Sequence, residues 1–150
     1  MNAAPDSRVF RIFLAEDNEA DVYLLRLALK KAQVNADLIV VTDGAAALAF
    51  GRDPWKQPGG ALPDLALLDL NLPKKNGAEV LEAMRLNPEL ADVPIVILTS
   101  SFSPLERAKM EKLGVARYLT KPPDLDGYMR IGGVVKEILL EHAEAQATKD

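Results

Sequence analysis

Leu65-Ala66-Leu67-Leu68-Asp69 is the stretch from which the rest of the chain can be read. Four apolar residues in a row, with no polar alternation, describe a strand buried on both faces, and it breaks off on a carboxylate. Residues 53–63 before it hold three prolines and Gly59-Gly60, which requires a loop. Residues 76–86 after it have helical spacing. The same unit recurs outward in both directions. Phe10-Arg11-Ile12-Phe13-Leu14-Ala15 is a strand that stops at Glu16-Asp17, followed by a helix over 19–32 with Val22, Leu25 and Leu29 on one face. Leu38-Ile39-Val40-Val41 is a strand, and Asp43 or Gly44 opens a helix through about Phe50. Pro94-Ile95-Val96-Ile97-Leu98-Thr99 precedes a helix with Pro104 at its first position. Residues 116–120 form a short strand before Lys121-Pro122, and the last helix covers 124 to about 144. Five strand–helix units without a hairpin signal predict an α/β protein, a five-stranded parallel sheet flanked by five helices.

Composition narrows the function. With 150 residues the chain suits one domain, expected over 8–144 with flexible ends at 1–7 and 145–150. It is 49% apolar and 27% charged, with a net charge of −4 and no basic run, so nucleic acid is not an expected partner. The absence of cysteine excludes disulfides and thiolate chemistry, and the single His142 excludes a multi-histidine site. No signal peptide and no apolar run of ~18 residues is present, so no membrane association is expected and the cytoplasm is the expected location.

Ligands of such sheets bind beyond the carboxyl ends of the strands. There stand Glu16 and Asp17, Asp69, Thr99 and Lys121. Any one of them alone would read as a cap or a solvated charge. Three carboxylates together repel, and a hard divalent cation such as Mg²⁺ relieves that, leaving Lys121 to receive an anion. Phosphoryl transfer needs this kind of positioning and charge neutralisation.

Four stretches carry a family resemblance: Leu14-Ala15-Glu16-Asp17-Asn18, Leu68-Asp69-Leu70-Asn71-Leu72-Pro73-Lys74-Lys75-Asn76-Gly77, Val96-Ile97-Leu98-Thr99-Ser100 and Tyr118-Leu119-Thr120-Lys121-Pro122. In this order the chain resembles the receiver domain of two-component response regulators, the chemotaxis-regulator type, over residues 8–140. The resemblance implies a flavodoxin-like doubly wound sheet of order 2-1-3-4-5. It implies that Asp69 is the phosphoacceptor and that Mg²⁺ is held by Asp17 and Asp69, by Glu16 through water and by the Asn71 carbonyl. Thr99 would bind the phosphoryl oxygens and Lys121 would pair with them, aimed by a cis bond before Pro122. Thr99 and Tyr118 would form the output switch, with Tyr118 swinging inward. Such a domain is a signalling switch that catalyses only its own phosphorylation and dephosphorylation.

Within the family, Asp69-Leu70-Asn71-Leu72-Pro73-Lys74-Lys75-Asn76-Gly77 and Glu16-Asp17-Asn18-Glu19-Ala20-Asp21-Val22 resemble the single-domain subgroup that partners phytochrome-type histidine kinases. The expected partner is a sensor histidine kinase such as a bacteriophytochrome. It would dock on the first helix, which is apolar nearly all round, through Leu24 or Leu27. Asn71 and Ser101 are small and polar, which implies an acyl phosphate lasting minutes. Val134, Val135, Ile138, Leu139 and Leu140 exceed one core face, and with Gly132-Gly133 they suggest a homodimer through helix four, strand five and helix five. Trp55 is expected to anchor the long loop.

Other functions fit less well. A phosphatase of the haloacid-dehalogenase type needs an acid two residues after its nucleophile, where Asn71 stands. A phosphate-independent pseudo-receiver would have no use for the complete acceptor set. A phosphorelay intermediate would share the chemistry of Asp69 and differ in its wiring.

Overall fold

The structure is a computed structural model that describes residues 8–56, 61–101 and 103–148. Along the chain run β1 (Val9–Ala15), α1 (Glu19–Lys31), β2 (Asn35–Val41), α2 (Gly44–Arg52), β3 (Leu65–Leu68), α3 (Gly77–Leu86), β4 (Ile95–Thr99), α4 (Pro104–Lys112), β5 (Arg117–Thr120) and α5 (Leu125–Thr148). The strands are all parallel, in the order β2-β1-β3-β4-β5 that the family resemblance implies.

Strand alternation divides the core into two layers. Phe13, Ala66, Leu68, Ile95 and Ile97 point toward α2, α3 and α4, where Phe13 stacks on Phe50 and meets Val80, Leu81 and Met84. Ile12, Leu14, Leu65, Leu67, Val96 and Leu98 point the other way, onto Leu25 and Leu29 of α1 and Ile131, Val135, Ile138 and Leu139 of α5. α4 is the exception among the helices, since Met110 is its one buried residue. Side chains just before the helices set their starts: Asn18, Asp43, Asn76 and Ser103 each accept a backbone N–H from the first turn that follows.

Several expectations need correction. α2 continues to Arg52, and Pro54–Lys56 forms a 3-10 turn, so part of the predicted loop is ordered. Trp55 is no packing anchor: it is 54% exposed, and its indole N–H donates to Glu89. α5 runs four residues past the predicted end at Glu144, to Thr148, because Ala145, Gln146 and Ala147 favour helix and no glycine or proline stops them. The expected flexible stretch 1–7 lies outside the described residues. The apolar excess of α5 is mostly absorbed within the chain: Val135, Ile138 and Leu139 are buried under the sheet and α1, Val134 is partly buried, and Leu140 stands exposed. No described helix is long and apolar enough to cross a membrane.

Gly132 and Gly133 leave α5 unbroken and differ sharply in surroundings. A Cβ on Gly132 would lie 2.2 Å from the carbonyl oxygen of Ala28, so this glycine brings the backbones of α1 and α5 together. Gly133 has nothing within 4 Å. Gly132→Ala is therefore expected to lower stability by about 2 kcal/mol or more, through overpacking against backbone. Gly133→Ala should raise it by about 1 kcal/mol, the helix-propensity gain alone. Urea denaturation of the two variants checks both signs.

Candidate functional site

The site follows from sheet geometry. The hydrogen-bond ladder continues just past the strands: the Glu16 N–H donates to the Val41 carbonyl at 3.0 Å, Asp69 to Ala15 at 3.0 Å and Lys121 to Thr99 at 2.7 Å. Residues that end neighbouring strands are thereby set side by side. Among the described residues, the buried polar and charged ones are Glu16, Asp69 and Thr99, all at this edge. Gly77 keeps the next helix close, since a Cβ there would lie 2.7 Å from the Asp69 carbonyl oxygen.

The Lys121 ammonium lies at the centre. Its Nζ is 2.9 Å from Glu16 Oε1, 2.9 Å from Asp69 Oδ2 and 2.8 Å from Asp21 Oδ2, which engages all three of its protons. Asp69 Oδ1 accepts the Asn71 N–H at 3.0 Å, and Glu16 Oε2 accepts that of Asn18 at 3.2 Å. Thr99 Oγ1 accepts from Asn71 Nδ2 at 3.3 Å and from the Ser101 N–H at 3.2 Å. On the far side of the lysine, the Tyr128 hydroxyl donates to Asp21 Oδ1 at 2.7 Å.

The expected cis bond before Pro122 is not found, because the described chain has no cis peptide bond. Strand parity suffices to aim the lysine. Tyr118 faces the α4 layer and Leu119 the α1–α5 layer. Lys121, two residues on, shares the side of Leu119 and meets Asp21 of α1 and the strand ends.

Burial pushes the Glu16 carboxyl up to about 7, with the charge of Asp69 adding to the rise and the hydrogen bond from Lys121 opposing it. Burial by itself would lower Lys121, but hydrogen bonds to Asp21, Asp69 and Glu16 outweigh it and hold the ammonium above the ordinary lysine range. Burial and then Asp21 raise the Tyr128 hydroxyl, so it remains a donor near neutral pH.

Glu16, Asp17 and Asp69 can offer oxygens within 4.8 Å of one another. An all-oxygen, multiply anionic set of this spacing, with one member already driven toward its neutral form, suits a hard divalent cation. Tyr118 is buried, with its hydroxyl 3.4 Å from Glu106 and the Arg107 guanidinium 5.5 Å from its ring centre. The ring thus already sits inside, and the expected inward swing is not a change that this conformation leaves to be made. His142 stands about 20 Å along α5 from Tyr128, away from the site.

A parallel 2-1-3-4-5 sheet carrying this set of strand-end residues narrows the class of protein further than any single motif. A family model for the response regulator receiver domain matches residues 12–130, and the chain belongs to that family of signalling domains. Among similar proteins is the response regulator Rcp1 of Synechocystis sp., 38% identical over 130 residues that make up 87% of this chain and 88% of Rcp1. The structure of the phosphorylated cyanobacterial phytochrome response regulator RcpA superimposes with a TM-score of 0.80 at 37% identity, covering 89% of this chain and 95% of RcpA. The Mn²⁺-bound form of Rcp1 does so at 0.75 and 37% identity, covering 85% and 91%.

Every strand-end residue singled out in the sequence lies at this edge. Asp21 and Tyr128 were missed. Asp21 was traceable in part, since it sits one helical turn beyond Asp17 and so leans back toward the strand end.

A divalent cation at this site should stabilise the fold by binding the native state alone. The gain is about 2.7 kcal/mol at a hundred times the dissociation constant. Thermal melts in Mg²⁺ against EDTA are expected to show it for the wild type. Asp17→Asn, which removes the exposed carboxylate, should show much less.

Proposed function

We propose that the protein is a cytoplasmic response regulator that takes a phosphoryl group from a sensor histidine kinase onto Asp69. The observation that carries this reading is the 2.9 Å contact of Asp69 Oδ2 with the Lys121 ammonium, beside the three-carboxylate set. A carboxylate oxygen of Asp69 attacks phosphorus, the P–N bond of the donor phosphohistidine breaks, and its electron pair returns to the imidazole. Asp17, Asp69 and the Asn71 carbonyl, with Glu16 through water, would hold Mg²⁺, which when bound would supply neutralisation of charge on the phosphoryl oxygens. Lys121 pairs with those oxygens, and the Thr99 hydroxyl donates to them after leaving its contact with Asn71.

Thr99 lies two residues along β4 from Ile97, the partner of Tyr118 in the sheet, so its movement is felt next to the ring that Glu106 holds. The output is a two-state equilibrium of α4 and β5 biased by the new anion. The kinase is a phytochrome type, a reading supported by the names of Rcp1 and RcpA and by the bacteriophytochrome response regulator RtBRR, 34% identical with a TM-score of 0.67. Leu24, half-buried beside Lys121, Pro122 and the exposed Leu125, offers it an apolar rim. A homodimer through α4, β5 and α5 belongs to the same proposal, supported by the exposure of Leu105 and by the mixed charges of Arg107, Arg117 and Glu137.

Incubation with Mg²⁺ and acetyl phosphate, followed by intact mass, tests the core of this reading. A single phosphoryl adduct should form in the wild type and be absent in Asp69→Asn and in EDTA. No adduct on folded, Mg²⁺-binding protein would make the domain a phosphate-independent binding module.

A further inference from the structure

Asp21 has no place among the carboxylates that gather for a cation, since only Glu16, Asp17 and Asp69 share that spacing. It nevertheless makes the shortest contact with the site's lysine, 2.8 Å, in a pair whose side chains are only 14% and 17% exposed. An ion pair so shielded is directional in a way that a surface pair is not. The other oxygen of Asp21 is taken by the Tyr128 hydroxyl at 2.7 Å, so the carboxylate cannot turn without losing one partner. Its backbone is fixed as well: Asp21 lies in the first turn of α1, and its N–H donates to Asn18 at 3.2 Å.

The two helices that carry this pair are locked together. Gly132 packs α5 against the Ala28 carbonyl of α1, four residues beyond Tyr128 and seven beyond Asp21, respectively. Asp21 and Tyr128 therefore form the site end of a rigid α1–α5 seam, reaching from the frame of the domain to the reacting centre.

We propose that Asp21, oriented by Tyr128, is a positioning residue for phosphoryl transfer. It holds the Lys121 ammonium over Asp69. The inference rests on Asp69 being the acceptor. Of the three oxygens now on Lys121, those of Glu16 and Asp69 have competing uses once a cation and a phosphoryl group arrive. Asp21 alone has none. It keeps one proton of the ammonium and leaves two to turn onto the phosphoryl oxygens. Tyr128 and Asp21 thus act on the reaction through the lysine, without touching the phosphoryl group.

The test compares wild type, Asp21→Asn, Tyr128→Phe and the double variant, all near their native shape, for phosphorylation by acetyl phosphate at saturating Mg²⁺. Each single variant should react about five- to tenfold more slowly, the loss of one well-aimed charge-assisted contact. The double variant should be no slower than the slower single, because the two side chains act as one unit. The ¹⁵N resonance of the Lys121 ammonium is expected to be sharp in the metal-free wild type, where three carboxylates hold its protons, and should broaden in both single variants. Folded variants that react at the wild-type rate with an unchanged lysine signal would overturn the inference, as would losses that multiply in the double variant. Labelling that survives Asp69→Asn would refute the acceptor reading first, and this inference with it.

Discussion

Three carboxylates closing on one ammonium, each within 2.9 Å, is the arrangement on which the site depends. Neighbouring strands run about 4.8 Å apart, so acids that end adjacent strands are crowded by the sheet itself. In a buried setting that crowding is costly, and Glu16 shows it in a carboxyl pushed up to about 7, burial being the main cause. Lys121 offsets part of the repulsion. What it leaves uncompensated is an appetite for a cation on one side and for an anion that can share the lysine on the other. The site's chemistry is thus a consequence of how parallel strands end, sharpened by one well-held side chain.

Much of this was legible in the residues. Leu65-Ala66-Leu67-Leu68 has no polar residue to give it a wet face, so a central parallel strand ending on Asp69 was the direct reading, and Glu16, Asp17, Thr99 and Lys121 followed from the same strand-end rule. What escaped did so for physical reasons. An acid in the first turn of a helix is ordinarily explained by the helix dipole, and a tyrosine in an amphipathic helix by its apolar ring. Only the packing of α1 on α5 brings Asp21 and Tyr128 together across 107 positions of sequence. The apolar surplus of α5 has a related reason: a helix lying against both a sheet and another helix needs more than one apolar stripe. The cis proline was expected as a device to aim Lys121, and strand parity already aims it.

The helices are held to the sheet to different degrees. On one side α1 and α5 meet backbone to backbone at Gly132 and bury Leu25, Leu29, Val135 and Leu139. On the other, α2 and α3 bury Phe50, Val80, Leu81 and Met84, whereas α4 commits a single side chain, Met110, to the core, supplemented by the Glu106 and Arg107 contacts with Tyr118. The site lies between the two layers and is tied to the α1–α5 one through Asp21.

That imbalance gives the domain a mechanical grain. A chemical event at one residue has about 1–3 kcal/mol with which to move anything distant. Against a helix wedged by many buried side chains, so small a force produces strain and no displacement. Against one held by a single methionine and a tyrosine hydroxyl, it is comparable to the whole restraint. If Asp69 takes the phosphoryl group as proposed, the softness of α4 selects the direction in which the molecule yields: the frame that holds the reactants would stay still, and the compliance would lie across the sheet, where a partner could sense it.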